Sequence, residues 1–219
     1  MKKFVLPLLI LFMSCLYIFS IPEDPTILKV IFKLIPMILI LVYAYLQCRS
    51  KPNSTQWILL SGLFICMLAD GFIAYSFILG LATFLVGHLF YVVGFSRAWK
   101  FSKVRFTVIL LILIYSLFMG RILITALIED GNNALVIPVI AYVIVISLMA
   151  WMAIMTGNKW AITGSLLFVL SDSILSWNMF VSDVPQSTYL IMSTYYSAQF
   201  FIAHSLGSLV TRASIEEAT

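Results

Sequence analysis

Residues 61–77 read SGLFICMLADGFIAYSF, and residues 163–179 read TGSLLFVLSDSILSWNM. Each is an apolar run broken by one aspartate, Asp70 in the first and Asp172 in the second. At this shift of 102 positions Gly62 also meets Gly164, Pro36 meets Pro138 and Lys3 meets Arg105. Self-similarity at a fixed period is the mark of a duplicated architecture. It predicts two halves, approximately 1–103 and 104–219, within one membrane domain covering 1–219. The two aspartates are then expected at similar depth on comparable helices.

Outward from these segments the chain stays apolar. Of its 219 residues 63% are hydrophobic and 10% charged, with a mean hydropathy of +1.09. A soluble domain carries about a quarter charged residues, so lipid is the expected solvent for most of this surface. Backbone groups in hydrocarbon must be bonded within a helix, and apolar runs of about 20 residues are spanning candidates. Eight are predicted, over 4–20, 27–47, 57–76, 78–96, 106–124, 134–156, 160–180 and 188–210. The fold class is therefore all-α, a polytopic membrane protein of eight transmembrane helices in two parallel-repeat halves of four. The first run follows a basic start, but no small-x-small cleavage site comes after it, so it reads as a helix rather than a signal peptide.

Loop charge predicts the orientation. Lys2, Lys3, Arg49, Lys51, Arg97, Lys100, Lys103, Arg105, Lys159 and Arg212 fall on one side of an eight-helix count. Glu23, Asp24, Glu129, Asp130 and Asp183 fall on the other. The positive-inside rule then puts both termini in the cytoplasm. The net charge of +4 is spread over short loops and does not point to nucleic acid. Cys15, Cys48 and Cys66 lie in or beside apolar runs, an odd set that argues against a disulfide framework.

An ionisable group in the hydrocarbon costs roughly 2.5–3.5 kcal/mol on insertion scales, so each needs a partner or a purpose. The candidates are Lys33, Asp70, His88, Arg121 and Asp172, with Tyr91, Asn178, Tyr195, Tyr196 and Gln199 as polar companions. Counted at about 1.5 Å per residue from the helix ends, most of them converge on one layer in the non-cytoplasmic half. Either aspartate also has a plain structural reading, as a helix-packing group or as half of a salt bridge with Lys33. His88 and the Tyr195–Gln199 segment read equally as core packing.

Several chemistries are excluded. Two histidines, His88 and His204, are too few for a zinc hydrolase, and no metal or cofactor is expected. No G-x-S-x-G elbow and no phosphate-cradling glycine loop occurs. What remains is a pair of carboxylates in low dielectric, one expected to hold a proton while the other is charged. That is the arrangement of a general acid beside a general base.

At these residues the chain resembles the YhhN-like transmembrane lysoplasmalogenase family. The matching text is KLIP (33–36), LADGFIAYSFILGLATFLVGHLFYVVGF (68–95), GSLLFVLSDSILSWNMF (164–180) and VPQSTYLIMSTYYSAQ (184–199). Within it stand Asp70, the Phe84-His88-Tyr91 spacing, Ser171-Asp172 and the Tyr195–Gln199 run. The resemblance covers Pro22 to Leu209, and the wording IMSTYYSAQ is similar to the animal branch. One departure is Ala69, where relatives often carry glycine.

The resemblance implies hydrolysis of the vinyl ether bond of lysoplasmenyl-ethanolamine or -choline, giving a fatty aldehyde and the glycerophospho-base. It implies Asp70 and Asp172 as the acid–base pair, in an unassigned order. It implies Lys33, His88, Tyr91, Arg121, Asn178, Tyr195, Tyr196 and Gln199 around a lysophospholipid substrate, in the bilayer of the endoplasmic reticulum. Two other readings stay open on sequence grounds. An intramembrane-aspartate transporter or proton-coupled carrier would need a polar file reaching both faces. A non-catalytic lipid-binding protein would need both aspartates consumed in packing.

Overall fold

The computed structural model describes residues 2–22, 26–48 and 52–209, with the side chains of residues 2 and 3 left aside. Glu23, Asp24, Arg49, Lys51 and Arg212, and the side chains of Lys2 and Lys3, lie outside what is described. The described residues form eight α-helices and one 3-10 turn, with no strand. The helices are α1 (Lys2–Ser20), α2 (Thr26–Gln47), α3 (Ser54–Phe72), α4 (Phe77–Arg97), α5 (Lys103–Glu129), α6 (Val136–Thr156), α7 (Lys159–Phe180) and α8 (Ser187–Ser205).

Six of these, α2 to α7, are long and apolar enough to cross a membrane. The apolar part of α1, Phe4–Ser20, is shorter. Helix α8 stands outside the six; along its length Ser, Thr and His residues, with Tyr195, Tyr196 and Gln199, dilute the apolar text. A chain with so many apolar crossings is a multi-pass membrane protein. Large apolar side chains such as Phe4, Leu111, Leu117 and Ile137 accordingly point outward from the bundle.

Local sequence sets the boundaries that matter for the site. Asn53 caps α3 through a capping box with Gln56, and Asn158 caps α7 by accepting from the amides of Trp160 and Ala161. The weak break expected near residue 77 falls at 73–76, where Ser76 caps α4 by accepting from the Leu79 amide. Asp70 is thus within one turn of the end of α3, beside a tight hairpin. In contrast α7 runs on for two further turns beyond Asp172, to Phe180.

The most extensive helix pairs are α3 with α4 and α7 with α8; α4 lies also against α6, and α8 against α2. Close approach in the two hairpins depends on Gly62 and Gly164. A Cβ on Gly62 would stand 2.6 Å from the Tyr91 ring and 3.2 Å from the Gly87 carbonyl oxygen. One on Gly164 would stand 2.8 Å from Ile202 and 2.9 Å from the Ala198 carbonyl oxygen. Helix α5 sits at the periphery, burying only Met119, Leu123 and Leu127.

Candidate active site

The polar residues of five helices meet at the end of the bundle that holds the α3–α4 and α7–α8 connections. There a cavity of about 360 Å³ is lined by Lys33 of α2, Asp70 of α3, Tyr142 of α6, Asp172 of α7 and Tyr195 of α8, with Tyr17 of α1 at its edge. Its remaining wall is mainly apolar, with Phe77, Leu81, Phe84, Val139, Leu175, Phe180 and Met192 among the lining side chains. Ser171, Ser176 and Thr188 add hydroxyls. An apolar cavity with a few convergent polar groups is the usual form of a small-molecule site.

Asp70 is almost wholly buried and both of its oxygens are engaged. Lys33 Nζ stands 3.1 Å from Oδ1, and the Tyr195 hydroxyl donates to Oδ2 at 2.5 Å. Behind Tyr195 runs a line of donors: Gln199 Nε2 donates to the Tyr195 oxygen at 3.3 Å, and the Tyr91 hydroxyl donates to Gln199 Oε1 at 2.7 Å. Helix α2 is held in place where Pro36 removes a helical amide, crowding the turn before it. At that turn the Tyr196 hydroxyl donates to the Lys33 carbonyl at 2.9 Å.

Asp172 has a simpler setting. The Tyr142 hydroxyl donates to its Oδ2, and no other hydrogen bond to its carboxylate exists among the described residues. Its neighbour Ser171, also on the cavity wall, donates to the Ile191 carbonyl at 3.0 Å and so ties α7 to α8. His88 is fully buried behind Tyr142, the two rings edge to face at 5.3 Å. Its Nδ1 lies 2.7 Å from the Phe84 carbonyl oxygen, which can only accept, so Nδ1 carries the proton and Nε2 is left unpartnered.

Of the ten residues singled out from the sequence, Lys33, Asp70, Asp172 and Tyr195 line the cavity, and His88, Tyr91, Tyr196 and Gln199 support it from behind. The other two lie elsewhere. Asn178 accepts from the Val184 amide at 2.9 Å and ties down the α7–α8 loop. Arg121 is exposed and lines a separate, apolar groove between α5 and α6. Sequence reasoning missed Tyr142. The available signal was a lone hydroxyl in the apolar text VIPVIAYVIVI, about 9 Å from the start of α6 by helical rise and hence level with the polar layer. His204 lies at the far end of α8, bonded through Nδ1 to the Tyr43 hydroxyl at 2.6 Å and away from this cavity, as its position in the chain implied.

The sequence pattern of the YhhN family matches residues 28–206, which include every polar residue of the cavity except Tyr17. The chain belongs to the YhhN family. Similar curated proteins are the lysoplasmalogenase TMEM86B of Homo sapiens, 30% identical over 88% of this chain and 83% of that protein, and its Mus musculus counterpart, 29% identical over 88% and 82%. The lysoplasmalogenase TMEM86A of Bos taurus is 31% identical over 77% of this chain and 71% of its own length. No solved structure matches the chain. The YhhN family resemblance read from the KLIP, Asp70–His88, Ser171-Asp172 and Tyr195–Gln199 text is thereby borne out over most of the chain.

Proposed function

We infer that this YhhN family member is a lysoplasmalogenase, a hydrolase that cleaves the vinyl ether bond of lysoplasmenyl-ethanolamine or -choline to a fatty aldehyde and the glycerophospho-base. The observation that carries the mechanism is that Asp70 and Asp172, one from each half of the chain, line one apolar-walled cavity. The names of the relatives supply the substrate class.

Acid–base chemistry by this pair accounts for the whole reaction. A carboxylic acid delivers its proton to the vinyl carbon remote from oxygen, leaving an oxocarbenium ion. A carboxylate nearby stabilises that cation, and water adds to the carbon attached to oxygen. The proton released by water returns to the first carboxylate. The resulting hemiacetal breaks its carbon–oxygen bond as the glycerol oxygen gains a proton, and the aldehyde leaves. One water is consumed and both carboxyl groups end as they began.

All eight helices cross the membrane as two parallel halves of four, with both termini cytoplasmic. The repeat is supported by the paired packing of α3 on α4 and α7 on α8, by α4 on α6 and α8 on α2, and by the matching contacts of Gly62 and Gly164. The animal-type text agrees with a place in the endoplasmic reticulum membrane.

The test is purified protein given lysoplasmenylethanolamine, with free aldehyde measured against an ester-linked lysolipid control. Aldehyde release from the vinyl ether alone is expected. Asp70→Asn and Asp172→Asn should each lose at least about 10³-fold in turnover. If both variants kept near-normal rates, carboxylate catalysis at this cavity would be wrong.

A further inference from the structure

The two aspartates share a cavity but not a setting, and the difference bears on which of them moves the proton. Around Asp70 both partners of the carboxylate among the described residues, Lys33 and Tyr195, are hydrogen donors. Lys33 and Tyr195 take one oxygen each, and Gln199 and Tyr91 extend the same line of donors behind Tyr195. A carboxyl group that must also carry a proton has no acceptor there to give it to. Asp172 receives one donor, Tyr142, on Oδ2, and is more open to the cavity than Asp70. Its Oδ1 is without a hydrogen bond among the described residues, which leaves that oxygen free to hold a proton.

We propose that Asp172 is the proton donor to the vinyl ether carbon, that Asp70 is the standing anion which stabilises the cation, and that Tyr142 is the positioning residue which aims the Asp172 acid. This rests on the lysoplasmalogenase reading above. In the first step the O–H bond at Asp172 Oδ1 breaks, a C–H bond forms on the substrate, and the electron pair of the double bond becomes that C–H bond. Tyr142 keeps its bond to Oδ2 throughout, holding Oδ1 toward the cavity. Water then adds to the oxocarbenium carbon and its proton returns to Asp172, while Asp70 never gives up its charge. The other titratable groups near Asp172 are Lys33, Tyr195 and Tyr17 on the cavity wall, His88 against Tyr142, and Tyr115 in a small adjoining pocket, its hydroxyl 2.5 Å from Ser173. Of these, Lys33, Tyr195, His88 and Tyr115 make no hydrogen bond or ion pair with the Asp172 carboxylate among the described residues.

The experiment compares kcat/KM against pH for the full chain and for Tyr142→Phe and Tyr195→Phe, with lysoplasmenylethanolamine as substrate. The alkaline limb reports the group that must carry a proton, and the acid limb the group that must be ionised. Removing the Tyr142 hydroxyl takes a donor from ionised Asp172, so the alkaline limb should move up by about one pH unit while the acid limb stays. Removing the Tyr195 hydroxyl should move the acid limb up and leave the alkaline limb. The opposite limbs moving, or both profiles falling without either limb moving, overturns the assignment. Asp172→Ala and Asp70→Ala give a second reading: added formic acid should restore the first in proportion to undissociated acid and the second in proportion to formate anion. The reverse pattern also overturns it. If the unaltered chain releases no aldehyde at any pH, it is the lysoplasmalogenase reading that has failed.

Discussion

Asp70 and Asp172 occupy matching places in two similar stretches of sequence, yet the bundle surrounds them differently. Asp70 lies near the end of a short helix, under a tight hairpin, and is held by a lysine and a tyrosine. Asp172 lies in the middle of a longer helix, touched by one tyrosine and open to the cavity. The comparison teaches that the cost of a buried charge is met locally. An ion in hydrocarbon needs its partner within the same few ångströms, whatever its counterpart in the other half does. Two similar stretches of sequence supply the two carboxylates, and the side chains around them give them different partners.

The largest effect that separates the pair, beyond turnover, is on stability. Asp70→Asn removes one member of a buried ion pair and leaves Lys33 uncompensated, a change worth roughly 3 kcal/mol. For a chain of this size that corresponds to a fall in Tm of roughly 6–12 °C. Asp172→Asn removes no charged partner and can still accept from Tyr142, so its Tm in detergent should stay within about 2 °C of the parent. Equal losses of Tm in the two variants would break the comparison.

A somewhat smaller effect sharpens it. Lys33→Met leaves the Asp70 carboxylate with Tyr195 alone, and should lower Tm and turnover together. Combining it with Asp70→Asn removes both charges from the low-dielectric site, so the double variant should be more stable than either single one. The coupling energy of this cycle is expected at about 2 kcal/mol, and a sum of independent losses would show that the ion pair contributes nothing.

The length of the apolar runs made the eight helices readable, and six of them, α2 to α7, are long and apolar enough to cross a membrane. Asp70, Asp172, Lys33 and Tyr195 were legible for a related reason: polar residues are rare there, and counting depth along each helix brings them to one level. Tyr142 was passed over because tyrosine is common in apolar helices, and only packing tells a hydroxyl that meets a carboxylate from one that does not. The pairing of Lys33 with Asp70 stood as one possibility among several, since depth says nothing about which helices are neighbours. Arg121 and Asn178 have the residue types of a site, and Arg121 was the highest in the layer by depth. The position of α5 at the rim of the bundle, and the bond from Val184 to Asn178, come from tertiary packing and loop geometry that no spacing encodes.

The smallest effect concerns Arg121. By charge it is a natural holder for the lipid phosphate, and by depth it belongs near the layer that contains Asp70. In the bundle it is exposed, in the groove between α5 and α6 rather than in the cavity, and no salt bridge or hydrogen bond to Arg121 exists among the described residues. An exposed side chain at the rim of a membrane helix can extend its charge to the interface at little cost, so it gains nothing by reaching inward. Arg121→Gln should therefore leave both kcat and KM for lysoplasmenylethanolamine within about twofold, whereas Lys33→Met changes both. A rise in KM of about tenfold or more in Arg121→Gln would mean that substrate bridges the α5–α6 groove and the cavity, and that the two aspartates are reached from the side of α5.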